Sequence, residues 1–277
     1  MLLLAAGAFV LATTPAWAGS KPPPTAPGPG EAFDCSTGGT TSCATDDTGC
    51  VSNTKNHAKC SSAIGKAIGK AVGAVIKCHS KQAQALFKGA DETQTNQAEE
   101  ICEQGAKAQL DQAITKLTGL NICDPIQLTN EATEESVLFG VLDSQNSSTY
   151  CDSASEALIG DDDTGWVPSS ANSLKCEQTV GKNIAKLVAA VLKCHDKLNG
   201  SDFKGKDFDE ESCEMTNPSQ KGALDKYNQQ VTKLLGLNIC PPCMANNNGQ
   251  GMNDLAANAL SQLDGSNSIL YPCNLGP

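Results

Sequence analysis

The sequence predicts an all-α protein made of two tandem disulfide-stapled helical-hairpin units, about three helices each. Two observations carry that expectation. The stretch KCSSAIGKAIGKAVGAVIKCHSK at 59–81 returns as KCEQTVGKNIAKLVAAVLKCHDK at 175–197, with a cysteine at each end and a histidine after the second one. Aromatic residues make up only 4% of the chain and alternating β-branched runs are absent, so the core must be filled by Ala, Val, Ile and Leu on helices.

The repeated stretch is itself predicted to be helical. Cys60 and Cys78 are 18 residues apart (78 − 60), as are Cys176 and Cys194 (194 − 176), which is about five turns and puts both cysteines of a copy on one face. Ile64, Ile68, Val72, Val75 and Ile76 follow the helical period, as do Val180, Ile184, Leu187, Val188, Val191 and Leu192. A row of small residues, Gly65, Gly69 and Gly73, is matched by Gly181, Ala185 and Ala189. A glycine inside a helix costs about 1 kcal/mol against alanine, so the row implies close approach of another helix.

In chain order, residues 1–18 have the apolar core and Ala-Trp-Ala ending of a secretory signal peptide. Residues 19–34 are a Pro/Gly-rich tether, expected to form a spacer without a core. The first helical unit is assigned to 35–150 and the second to 151–277. Within the first, a second helix is expected near 92–118, with Gly119 as its stop, and a third near 130–143, with a counterpart near 252–264. The motif Asp-Asp-Thr-Gly occurs at 46–49 and again at 162–165. It reads as a solvated turn, since it lacks the alternating ligands and distal glutamate of a calcium loop.

Fourteen cysteines in an exported chain read as a disulfide framework. Nested stapling of antiparallel helices pairs Cys78 with Cys102 and Cys60 with Cys123 in one copy, and Cys194 with Cys213 and Cys176 with Cys240 in the other. Cys243 is paired with Cys273. Cys35, Cys43, Cys50 and Cys151 stay unordered, with a bridge from Cys151 back to the N-terminal loop preferred; cysteine order alone does not fix connectivity. Cys240-Pro-Pro-Cys243 has redox spacing but follows a helix, so it reads as structural.

All 20 basic residues are lysine and the net charge is −11, which argues against nucleic-acid partners. No apolar run after the leader approaches the length of a membrane span. There is no nucleophile elbow, zinc-protease motif, P-loop or dinucleotide fingerprint, so no enzyme activity and no cofactor is expected. The sharpest repeated polar feature is the pair Cys78-His79 and Cys194-His195. His79 and His195 are candidate metal or haem ligands. Against this, a histidine at a helix C-terminus complements the helix dipole.

Lys59-Cys60, Lys77-Cys78-His79, and Cys102 with Ala106, Ala113 and Lys116, paralleled in the second copy, form a pattern that resembles uncharacterised secreted, cysteine-rich helical repeat proteins of environmental bacteria. The second copy departs from it between Cys213 and Pro218. The resemblance implies secretion and a helical fold, and brings no activity or site with it. The expected product is a secreted or periplasmic, non-enzymatic structural or interaction protein that engages an unknown protein or surface partner. Its alternatives are a carrier of a small apolar molecule, in a cavity lined by Ile64, Val72, Val180 and Leu187, and a metal or haem site at the two Cys-His pairs.

Overall fold

The computed structural model describes residues 28–33, 48–153, 156–158, 164–206 and 208–276, and for 131–138 only the course of the backbone. The signal peptide, most of the tether, Cys35, Cys43 and the aspartates of the Asp-Asp-Thr-Gly motifs lie outside the described residues. The described chain is all-α, with eight helices and no strand beyond two isolated bridges.

Helices α1 (Lys55–Phe87) and α5 (Ala171–Asp202) are the two copies of the organising stretch. Each begins at a hydroxyl cap: Thr54 accepts from the His57 amide and Ser170 from the Ser173 amide. The row of small residues is the seam between them. A Cβ on Gly69 would lie 3.7 Å from the Ala189 Cα, one on Gly73 3.9 Å from the Ala185 Cβ, and one on Gly181 3.2 Å from Ile76. Numbering rises along α1 as it falls along α5, so the two run antiparallel. Ile64, Ile68, Val72, Val180, Leu187 and Val191 are buried in one continuous core with Leu110, Leu234, Met244 and Met252.

Helix α2 (Glu92–Leu120) starts at Asp91 and runs through Gly119, the residue expected to stop it. It ends instead at Asn121, which takes the left-handed conformation at φ 51°, and α7 (Ala223–Leu237) ends the same way at Asn238. Asparagine tolerates that conformation because its short polar side chain bonds locally, so it serves the role assigned to glycine. Helix α3 (Pro125–Ser144) begins earlier than expected. Asp124 and Gln127 close a capping box around it, and Pro125 fits the first turn. A single turn, α4 (Asn146–Thr149), follows. In the second half the counterpart of α2 is broken into α6 (Glu210–Glu214) and α7, where Asn217-Pro218 disfavours helix. Helix α8 (Pro242–Leu270) is kinked at the Asn-rich insertion, where Asn247, Asn248 and Gly249 all take positive φ.

Six disulfides join described cysteines. Cys60–Cys123 and Cys78–Cys102 staple α1 to α2 and to the turn after it. Cys176–Cys240 and Cys194–Cys213 do the same around α5. Cys243 is not paired with Cys273, and Cys151 does not return to the N-terminal loop: the bonds are Cys151–Cys243 and Cys50–Cys273. The reason is length. Cys243 opens the 29-residue α8 and Cys273 follows its end, so the helix itself holds them apart, whereas a bridge needs Cα atoms within about 7 Å.

The same junction is built twice. After α8, the Tyr271 carbonyl accepts from the Cys50 amide; after α4, the Tyr150 carbonyl accepts from the Trp166 amide. Phe33 donates its amide to Gly49 O and Leu158 donates its amide to Gly165 O. Within the stretch read as a tether, Phe33 is 2% exposed and packs edge-on against Tyr271. No helix among the described residues is long and apolar enough to cross a membrane.

Candidate metal centres

Both predicted ligands lie inside their helices and not at the ends. α1 continues from His79 to Phe87 and α5 from His195 to Asp202, so the helix-terminus account of these residues is set aside. Each imidazole is buried, at 3% and 0% exposure, and faces carboxylates.

Around His79 the carboxylates come from two other helices. Glu99 and Glu103, one turn apart on α2, place carboxylate oxygens 3.8 and 2.8 Å from the His79 Nε2, and Asp143 on α3 places one at 3.5 Å. Around His195 the set is Glu210 and Glu214 on α6 at 3.8 and 2.9 Å, with Asp264 on α8 at 3.6 Å. The four residue types and the three distances agree to within 0.1 Å between the two halves.

The staples explain how short segments reach this precision. Cys78–Cys102 sits directly beside His79 and Glu103, and Cys194–Cys213 beside His195 and Glu214. Each disulfide fixes the helix pair at the level of the site. Even α6, only five residues long, therefore presents Glu210 and Glu214 on one face. The repeated Cys-His pair is thus two devices in one: the cysteine clamps and the histidine points inward.

Three carboxylates outnumber one imidazole in each cluster even with the ring protonated. Two like charges about 4 Å apart repel by roughly 4 kcal/mol at an effective dielectric of 20. A cation at the centre offsets that. For bonds of about 2.1 Å, adjacent ligands of an octahedral ion are about 3.0 Å apart and opposite ones about 4.2 Å. The ligand atoms of His79, Glu103 and Asp143, and those of His195, Glu210 and Glu214, lie within 4.8 Å of one another. One nitrogen and two carboxylate oxygens in mutual reach, with no thiolate, suit a hard or borderline ion such as Mn²⁺, Fe²⁺ or Zn²⁺, and Glu99 and Asp264 each stand beside their set at 3.8 and 3.6 Å from the imidazole.

The glutamates and aspartates were not singled out in the sequence, yet a signal exists. Glu-Glu-Ile-Cys-Glu at 99–103 returns as Glu-Glu-Ser-Cys-Glu at 210–214, and Leu-Asp at 142–143 returns at 263–264. The spacing to the histidine differs between halves, which hides the match from a fixed-offset comparison.

The residues proposed to line a carrier cavity, Ile64, Val72, Val180 and Leu187, are each 1–2% exposed within the packed core. A groove of about 1020 Å³ instead lies between α7 and α8, lined by Leu224, Val231, Leu235, Ala256 and Leu260. The Cys240-Pro-Pro-Cys243 cysteines bond Cys176 and Cys151 rather than each other. A separate buried acid, Glu177, is pushed up to about 8 by burial and by the neighbouring Asp152.

The chain matches no family model, no curated protein and no solved structure.

Proposed function

We propose that this chain is an exported, non-enzymatic metal-binding protein whose two halves each hold one divalent transition-metal ion, by His79, Glu99, Glu103 and Asp143 in one site and His195, Glu210, Glu214 and Asp264 in the other. One observation carries the reading: the same buried four-residue constellation occurs twice with matching distances. The stapled scaffold expected from the sequence then has a purpose, since its disulfides pin each site at the level of its histidine. Export fits the disulfides, because such bonds persist in oxidising compartments.

The test is elemental analysis of protein purified without chelator, followed by titration of chelator-stripped protein with Zn²⁺ and with Mn²⁺. Two ions per chain are expected for the wild type, one for His79→Ala or His195→Ala, and none for the double variant. Equal metal content in all four proteins, or none in the wild type, sinks the proposal.

A further inference from the structure

We infer that Thr48 and Thr164 are positioning residues for the aspartates of the two metal sites, and that they act crosswise: Thr48 from the first half serves the site around His195, and Thr164 from the second half serves the site around His79. The inference rests on the metal reading above. The repeated Asp-Asp-Thr-Gly motif, which that reading leaves unused, supplies the observation.

Thr48 donates its hydroxyl to the backbone carbonyls of Asp264 and Gly265, at 3.2 and 3.3 Å, and accepts from the Ser268 amide at 3.1 Å. Thr164 donates to the carbonyls of Asp143 and Ser144, at 3.4 and 3.0 Å, and accepts from the Ser147 amide at 3.3 Å. In each case the hydroxyl grips the backbone of the residue whose carboxylate faces the imidazole. The glycine that follows lets the turn come that close. Gly49 and Gly165 have φ of +115° and +135°, and a Cβ there would meet the Tyr271 and Tyr150 carbonyl oxygens at 2.7 and 3.0 Å.

An aspartate has only two side-chain torsions, so the place of its backbone largely decides whether its carboxylate reaches the ion. Binding sites tolerate about 0.5 Å of error before they weaken. Glu99 and Glu103 are fixed by the adjacent disulfide, and Glu210 and Glu214 likewise; no disulfide adjoins Asp143 or Asp264 in sequence. The threonine turn supplies the missing restraint, and valine in its place keeps the shape while removing the hydroxyl.

The experiment uses full-length single-site parents, His79→Ala, which keeps the His195 site, and His195→Ala, which keeps the His79 site, with His→Gln parents where an alanine variant does not fold. Zn²⁺ affinity is measured by competition with a chromophoric chelator, and folding is followed by far-UV circular dichroism. In the His79→Ala parent, Thr48→Val is expected to weaken Zn²⁺ binding at least tenfold, while Thr164→Val leaves it within twofold. In the His195→Ala parent the two roles exchange. Thr48→Ser and Thr164→Ser, which keep the hydroxyl, stay within about threefold of their parents. A valine variant that weakens both sites alike, or neither, overturns the crosswise assignment while leaving the metal reading intact. Parents that bind no Zn²⁺ overturn the metal reading, and this inference with it.

Discussion

Glu177 carries its carboxyl into the junction beside Asp152 and is 0% exposed. Burial, reinforced by Asp152, pushes its pKa up to about 8 from an ordinary value of 4.5. Between those two values the folded chain holds a proton that the unfolded chain has released. Stability is therefore greatest below the lower value and falls as pH rises toward the upper one. Thermal melts at about pH 4.5, 6 and 8 are expected to show that fall in the wild type and a flatter profile in Glu177→Gln. An equal fall in both proteins would mean that Glu177 stays charged in the fold. The histidines were legible from the sequence because they stand next to repeated cysteines at a fixed offset. Their acidic partners were not, because the stretch from His195 to Glu210 is shorter than that from His79 to Glu99 (210 − 195 = 15 against 99 − 79 = 20), and the extra residues around Asn217-Pro218 and in the Asn-rich insertion then shift Asp264 the other way.

At the scale of the element, the small-residue row lies where helices meet: Gly69 and Gly73 of α1 face α5, and Gly65 faces Leu270 of α8. A Cβ on Gly69 would sit 3.4 Å from Leu192 and 3.7 Å from Ala189, ordinary contact distances. Gly69→Ala is thus expected to fold and to gain up to about 1 kcal/mol from helix propensity. Gly69→Leu overfills the seam and should cost about 1–3 kcal/mol. Chemical denaturation of both variants checks the pair; a leucine variant as stable as the wild type would place the seam elsewhere. Helix identity was readable from hydrophobic period, but helix ends were less so. Asn121 and Asn238 terminate helices through a backbone conformation that the sequence assigns more readily to glycine. The break between α6 and α7 follows from Pro218, whereas the cross-connection Cys151–Cys243 depends on tertiary proximity that no local pattern encodes.

Across the whole molecule, the two halves are tied at both junctions. Cys50–Cys273 spans 223 residues of sequence, and on the chain-entropy account closing so large a loop stabilises by up to about 5 kcal/mol. The double variant Cys50→Ala, Cys273→Ala is expected to unfold at markedly lower denaturant. It should also weaken the His195 site more than the His79 site, because Thr48 lies two residues before Cys50. Unchanged stability would show that the Tyr271 to Cys50 hydrogen bond and the Phe33 packing hold that junction unaided. All-α architecture and the four nested staples could be read from composition and spacing. The closing of the last turn onto the first could not, since it rests on contacts more than 200 residues apart.

That closure makes the order in which the halves are strung together a matter of convenience to the fold. Asn53 donates its side-chain amide to the carbonyls of Leu275 and Gly276, so the last described residues lie against the entry to α1. Gly30 lies against the same asparagine. A circular permutant that joins Gly276 to Gly28 through a short Gly/Ser linker, and opens the chain between Ser153 and Glu156, is expected to keep every described helix, every described disulfide and both clusters of acid and imidazole, which circular dichroism and non-reducing mass analysis would check. Its junction at the old ends would be the covalent twin of the one that already links Tyr150 to Trp166.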